Sequence, residues 1–277
     1  MKRKIDIAIL SDLHLGTYGC HAQEILAYLK SIDPDMLILN GDIIDIWQFK
    51  KKYFPPAHIQ VVREILKMSE RGVIVHYITG NHDEALRRYS GTSLGNLSID
   101  DKLVLEVDGK RIWVFHGDVF DATTKGWAKF LAKLGGKGYD GLIFLNHLIN
   151  QVLLAMGKSR MSFSKKVKNG VKKAVAWIGD FEQTAAELAI QEGYDVVICG
   201  HIHQPQKRMV KNNHGQVLYL NSGDWLENGS ALEYQNGEWN ICYTPLEHKE
   251  KHQPSEPLLV PEVRTQEVSF WLQTLSA

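Results

Sequence analysis

Apolar and polar positions along the first 120 residues switch between two periods. Short apolar runs at Ile5–Leu10, Met36–Leu39 and Val73–Ile78 predict buried strands. Between them, Ala22–Lys30 places Ile25, Leu26 and Leu29 at helical spacing, and Ile59–Met68 carries Val61, Val62, Ile65, Leu66 and Met68 along one side. The second helix should stop at Arg71-Gly72, a basic last turn and then a glycine, and Asp33-Pro34 reads as the turn before the second strand. Leu103–Val107 and Ile112–Phe115 flank Asp108-Gly109 and predict a hairpin. From Asp121 to Gly179 the pattern is helical only, cut by glycines. A helix over Asp180–Gln191, opened by an Asp-x-x-Gln capping pair and closed by Gly193, leads back to strands. These are Asp195–Cys199, Val217–Leu220, Ala231–Tyr234 and Trp239–Tyr243, the last two joined by Asn236-Gly237. Such alternation specifies a layered α/β core over 1–120 and 180–246, a helical insertion over 121–179, and a C-terminal tail over 247–277 that is polar and proline-bearing to Pro261 and could end in a short helix over Glu262–Ser276.

Composition narrows the partners. With 32 basic and 32 acidic residues the chain is neutral, which argues against a nucleic-acid binder that relies on net positive charge. Three scattered cysteines (20, 199 and 242) are too few for a disulfide framework or a thiolate metal site. No signal-peptide pattern opens the sequence, and Gly141–Gly157, the most apolar stretch, is too short and too polar to span a bilayer. The expected location is the cytoplasm.

Five of the expected strands end alike, in residues that bind metals. Ile5–Leu10 runs into Asp12 and His14, Met36–Leu39 into Asp42 and Asp45, and Val73–Ile78 into Asn81, His82 and Asp83. Ile112–Phe115 runs into His116, and the strand ending at Cys199 into His201 and His203. In open α/β sheets the site lies beyond the carboxyl ends of the strands, so these five ends should meet. Taken alone, each motif has a plain explanation: Asp83 could cap a helix, and the histidines could be solvated loop residues. Five such signals in this order are jointly specific. The donors are carboxylate and amide oxygens and imidazole nitrogens, a set suited to Mn, Fe, Zn, Ni or Co rather than an all-oxygen Mg or Ca cage. Asp12, His14, Asp42, Asn81, His116, His201 and His203 exceed what one ion needs, and with Asp42 shared they make two sites.

These motifs resemble the calcineurin-like metallophosphoesterases, whose fold is an α-β-β-α sandwich. Within that superfamily, Ser11-Asp12-Leu13-His14-Leu15-Gly16, Asp42-Ile43-Ile44-Asp45-Ile46-Trp47, Gly200-His201-Ile202-His203-Gln204-Pro205 and Gly223-Asp224-Trp225 look like the UDP-2,3-diacylglucosamine hydrolases, the pyrophosphatases of lipid A synthesis. The insertion between His116 and His201 falls where those enzymes carry a helical cap. The resemblance implies one metal on Asp12, His14, Asp42 and His203 and a second on Asp42, Asn81, His116 and His201, with Mn²⁺ as the first choice. It also implies that His82 assists the leaving oxygen and that Asp45 orients His82. At His82 the chain departs from that subfamily, which has Arg after the Asn. It also lacks the Arg that follows the second Asp in protein Ser/Thr phosphatases, where Ile46-Trp47 stand, which argues against a phosphoprotein substrate.

The insertion adds a substrate expectation. Gly141–Gly157 could form an apolar channel for acyl chains or a packed cap helix. Lys158–Lys173 is basic with no acidic residue, which fits a solvated helix face, peripheral contact with anionic lipid, or a lid over a diphosphate. Lys165, Lys166 and Lys168, with Asn81, are the candidate substrate contacts, and the expected partner is a nucleotide-linked or lipid-linked phosphate.

Overall fold

The computed structural model describes residues 2–46, 53–120 and 181–246. The expected insertion, the tail, the cap residue Asp180 and the three candidate lysines lie outside these residues.

Among the described residues twelve strands form two sheets. The first contains β1 (Arg3–Leu10), β2 (Ile32–Asn40), β3 (Ile74–Ile78), β4 (Thr92–Leu94), β5 (Leu97–Asp100), β11 (Ser230–Gln235) and β12 (Glu238–Tyr243), in the order β12-β11-β1-β2-β3-β5-β4. The second contains β6 (Lys102–Val107), β7 (Lys110–Phe115), β8 (Val196–Cys199), β9 (Gln206–Asn212) and β10 (Gly215–Asn221), in the order β6-β7-β8-β10-β9. Helices α1 (Ala22–Ser31) and α2 (Pro56–Glu70) belong to the first sheet's outer layer, and α3, over 181–191, to the second's.

Period-2 alternation with both faces apolar builds these layers. On β2, Leu37 and Leu39 join α1 and α2 in one core, while Ile38 joins the core between the sheets. On β8, Val196 and Ile198 fill the inter-sheet core, and Val197 and Cys199 pack with Ala185, Ala186 and Ala189 of α3. A fully buried side chain of this size contributes about 1.5–3 kcal/mol. The outcome is the α-β-β-α sandwich that the motifs implied.

Turn chemistry reads as expected. Asp108-Gly109 and Asn236-Gly237 each take two positive φ angles (50° and 71°; 54° and 81°) and close the β6–β7 and β11–β12 hairpins. At the end of α2 the Gly72 N–H donates to the Ser69 carbonyl at 3.0 Å.

Two expectations need correction. Asp33-Pro34 is not a turn: β2 starts at Ile32, and Pro34 pairs only with Ile5, because β3 does not join until Met36↔Ile74. A proline is tolerated where one side of the strand has no neighbour. Leu66 is 51% exposed, so the buried stripe of α2 is Val61, Ile65 and Met68. Strands β4 and β9 had no apolar signature to find, and β5 offered only Leu97 and Ile99. β4 is exposed throughout, β9 buries only Val210, and both are sheet edges.

β1, β2 and β3 run parallel, as do β7, β8 and β10. Their carboxyl ends therefore open on the same end of the sandwich, and backbone bonds stitch them together. The Asp12 N–H donates to Gly41 O (3.0 Å), His14 N–H to Asp42 O (2.9 Å), and Gly200 N–H to His116 O (3.0 Å).

Candidate metal centre

Seven non-glycine residues among those described have positive φ. Two lie in the hairpin turns; the other five are Asp12 (53°), His14 (48°), Asp42 (53°), His201 (68°) and His203 (53°). Left-handed backbone costs an ordinary residue about 1–3 kcal/mol and persists only where its surroundings enforce it, typically at functional sites. Here it falls on residues that the strand-end motifs nominate as ligands.

Their side chains converge. One atom each from Asp12, His14 and His203 lies within 4.8 Å of the others, and the same holds for Asp42, His116 and His201. In the first, outer group, His203 Nε2 stands 3.1 Å from Asp12 Oδ1, while Asp12 Oδ2 accepts the His201 N–H at 3.1 Å. In the second, inner group, His116 Nε2 stands 3.3 Å from Asp42 Oδ2. The groups adjoin: His14 Nε2 is 4.0 Å from Asp42 Oδ2, and the His14 ring lies edge-on to those of His203 and His82. A third combination, His14 with Asp45 and His82, is equally compact.

Glycines make this approach possible. A Cβ on Gly80 would lie 2.3 Å from Asp42 Oδ1, and one on Gly41 would lie 2.3 Å from the His116 ring. Neither position admits a side chain.

Second partners fix the rings. His116 Nδ1 donates to the Asn40 carbonyl at 2.9 Å, which turns Nε2 toward Asp42. Asn40 Nδ2 donates to Phe115 O at 3.2 Å, joining the two sheets directly behind the site. His58 accepts the Gly16 N–H at 2.8 Å behind the Asp12–His14 loop.

Asp83, which the sequence offered as a helix cap, is a brace. It caps no helix through its side chain, although a short 3₁₀ helix does open at Glu84. Its Oδ1 accepts the Gly80 N–H (2.6 Å), and its Oδ2 accepts the Ile43 N–H (3.0 Å) and the Tyr77 hydroxyl (2.6 Å). Burial pushes this carboxyl above its ordinary range against the pull of the Tyr77 hydrogen bond. The missed signal was compositional: a buried acid beside glycines has backbone N–H groups available to it.

The electrostatics suit a cation. Burial drives His14 down to about 4, so its ring is neutral. For His116 and His203 burial acts in the same sense, but Asp42 and Asp12 outweigh it and raise them to about 10 and about 9. Asp42, opposed by burial but surrounded by imidazoles, is held well below the usual carboxylate range. His82, half-buried, has Nδ1 3.3 Å from Asp45 Oδ2, angled for an ion pair rather than a full hydrogen bond. Burial opposes charge on that ring too, yet Asp45 and Asp42 raise it.

A divalent metal fits these residues. His14 Nε2, Asn81 Oδ1 and His116 Nε2 are buried without a hydrogen-bond partner, an arrangement that folding tolerates poorly unless the atoms have another use. All are ligand atoms of the type already assembled here.

The calcineurin-like phosphoesterase family profile matches residues 5–205, and the chain belongs to that family. It is similar to the UDP-2,3-diacylglucosamine hydrolase of Aliivibrio fischeri, 25% identical over 240 residues that cover 85% of this chain and 97% of the relative. The protein of the same name from Escherichia coli O1:K1 / APEC is 26% identical over 213 residues, 76% of this chain and 86% of the relative. Among solved structures, an archaeal phosphodiesterase aligns with a TM-score of 0.40 at 15% identity, covering 86% of this chain and 98% of that one. The chain is thus a metal-dependent phosphoester or pyrophosphate hydrolase. No helix among the described residues is long and apolar enough to cross a membrane.

Proposed function

We propose that the chain cleaves a pyrophosphate bond with two divalent cations, and that its substrate is UDP-2,3-diacylglucosamine, split into the acylated sugar 1-phosphate and UMP. The observation that carries the two-metal reading is the position of Asp42, whose Oδ2 faces His116 at 3.3 Å on one side and His14 at 4.0 Å on the other. Asp12, His14, Asp42 and His203 would hold one ion, and Asp42, Asn81, His116 and His201 the other. The family resemblance makes Mn²⁺ the first choice, and the mixed imidazole and oxygen donors would also accept Fe, Zn, Ni or Co.

When bound, such a pair of ions supplies Lewis-acid charge against the phosphate oxygens and makes water acidic enough to attack phosphorus near neutral pH. The protein's own part is positional. Asn40 keeps the His116 proton on Nδ1, leaving Nε2 as the ligand atom. Asp45 aligns His82, which delivers a proton to the leaving oxygen.

The substrate assignment rests on the relatives' printed function and on the expected apolar insertion; His82 is where the chain departs from them. The same reading puts Lys158–Lys173 against anionic lipid at the membrane surface. A Mn²⁺-supplemented panel tests the substrate: UDP-diacylglucosamine, deacylated nucleotide sugars, cyclic nucleotides, single-stranded DNA and bis-p-nitrophenyl phosphate. UMP release from the diacylated substrate, well above the deacylated one, is the expected result. Equal turnover of both would replace this reading with a general phosphodiesterase.

A further inference from the structure

The turn after β10 carries a fully buried carboxylate, Asp224, that belongs to neither ligand group. Its Oδ1 accepts the N–H groups of Leu226 (2.7 Å) and Glu227 (2.6 Å), which folds the turn. Its Oδ2 does something a turn does not need: it accepts from the side-chain amide of Asn228. The same Asn228 Nδ2 donates to the backbone carbonyl of His203 at 3.0 Å. One residue past Asp224, the Trp225 N–H donates to the backbone carbonyl of Asp12 at 3.2 Å.

The two residues held in this way stand at the ends of strands in different sheets, and both have strained backbones, with φ of 53°. Strain of that kind relaxes unless something outside the loop holds it. The turn is built to do so, because one carboxylate holds the Asn228 amide directly and folds the turn that presents the Trp225 N–H.

We propose that Asp224 is a positioning residue for the outer group, acting through Asn228 on His203 and through the Trp225 N–H on Asp12. The inference rests on the reading that this group holds a cation.

Asp224→Asn separates positioning from simple capping. Its amide oxygen can keep the two turn bonds at Oδ1, but its amide nitrogen would then face the Asn228 donor and break the link to His203. The experiment is Mn²⁺ titration calorimetry with elemental analysis on the full chain for wild type, Asp224→Asn and Asn228→Ala, alongside thermal melts. Both variants should lose affinity at one of two Mn²⁺ sites by about 10–100-fold, the range for residues that orient ligands, with the other site unchanged. Excess Mn²⁺ should restore turnover. Asn228 is only half-buried, so its variant tests the idea even if Asp224→Asn fails to fold. Unchanged affinity at both sites, or equal loss at both alongside a lowered melting temperature, would reduce Asp224 to a structural cap. A wild type that binds fewer than two ions would instead overturn the two-metal reading and this inference with it.

Discussion

His116 and His203 follow adjacent strands of one sheet and end near one another, yet they are held by opposite means. The His116 side chain is fully buried, its ring clamped between the Asn40 carbonyl and the space left by Gly41. The His203 side chain is 28% exposed, and the turn at Asp224 and Asn228 grips its backbone instead. The inner group is therefore shaped by the core, since a shift of its ring would disturb both sheets. At His203 the outer group depends on a loop, which can open at a smaller cost, although its Asp12 and His14 are buried like Asp42 and His116. Asp42 joins the two, and the contrast predicts that perturbations should sort by which half they reach.

The largest effect should come from removing that junction. Asp42→Ala deletes the one carboxylate that faces both groups, so hydrolysis of every substrate should fall by about 10³-fold or more and both ions should be lost. Full activity with unchanged metal content by elemental analysis would end the two-metal reading. His82→Ala should keep both ions and reduce turnover by about 10²–10³-fold, more on poor leaving groups than on nitrophenyl esters. A loss of the same size on activated and unactivated esters would remove His82 from the leaving-group step and return it to the third ligand combination, with His14 and Asp45.

What could be read from the sequence follows the same division. The candidate ligand residues were visible because their chemistry is unusual at a strand end, and five strands repeated it. The strands themselves were visible wherever both faces are buried, as in Ile5–Leu10. The braces were not. Asp83 looked like a helix cap, and nothing local marked Asn40 or His58, because each acts through at least one hydrogen bond to a residue distant in sequence. Asp224 lay within a recognisable motif, but it reaches His203 only through Asn228, 25 residues from His203 in sequence, and no local pattern encodes that pairing. The edge strand β9 was missed for a different reason: Gln206–Asn212 carries Lys207, Arg208 and Lys211 on a strand that buries only Val210.

The smallest predicted effect is the sharpest test of the contrast. Tyr77→Phe removes one of three donors to Asp83 and leaves the Gly80 and Ile43 N–H bonds in place. The Tyr77 side chain is buried, and Phe fills nearly the same volume, so the change is close to a single hydroxyl. Losing that bond should cost about 1 kcal/mol of stability, or about 2–4 °C in melting temperature for a domain of this size. Asp83 braces Gly80 and Ile43, the neighbours of Asn81 and Asp42, so any weakening of Mn²⁺ binding belongs to the inner site. Because two donors remain, it should stay below the tenfold that marks the lower end for such partners. Differential scanning calorimetry and Mn²⁺ titration on the same sample give both numbers. A drop at the outer site with the inner site intact would show that the two halves are not braced separately, and the division between a core-built and a loop-built half would have to be abandoned.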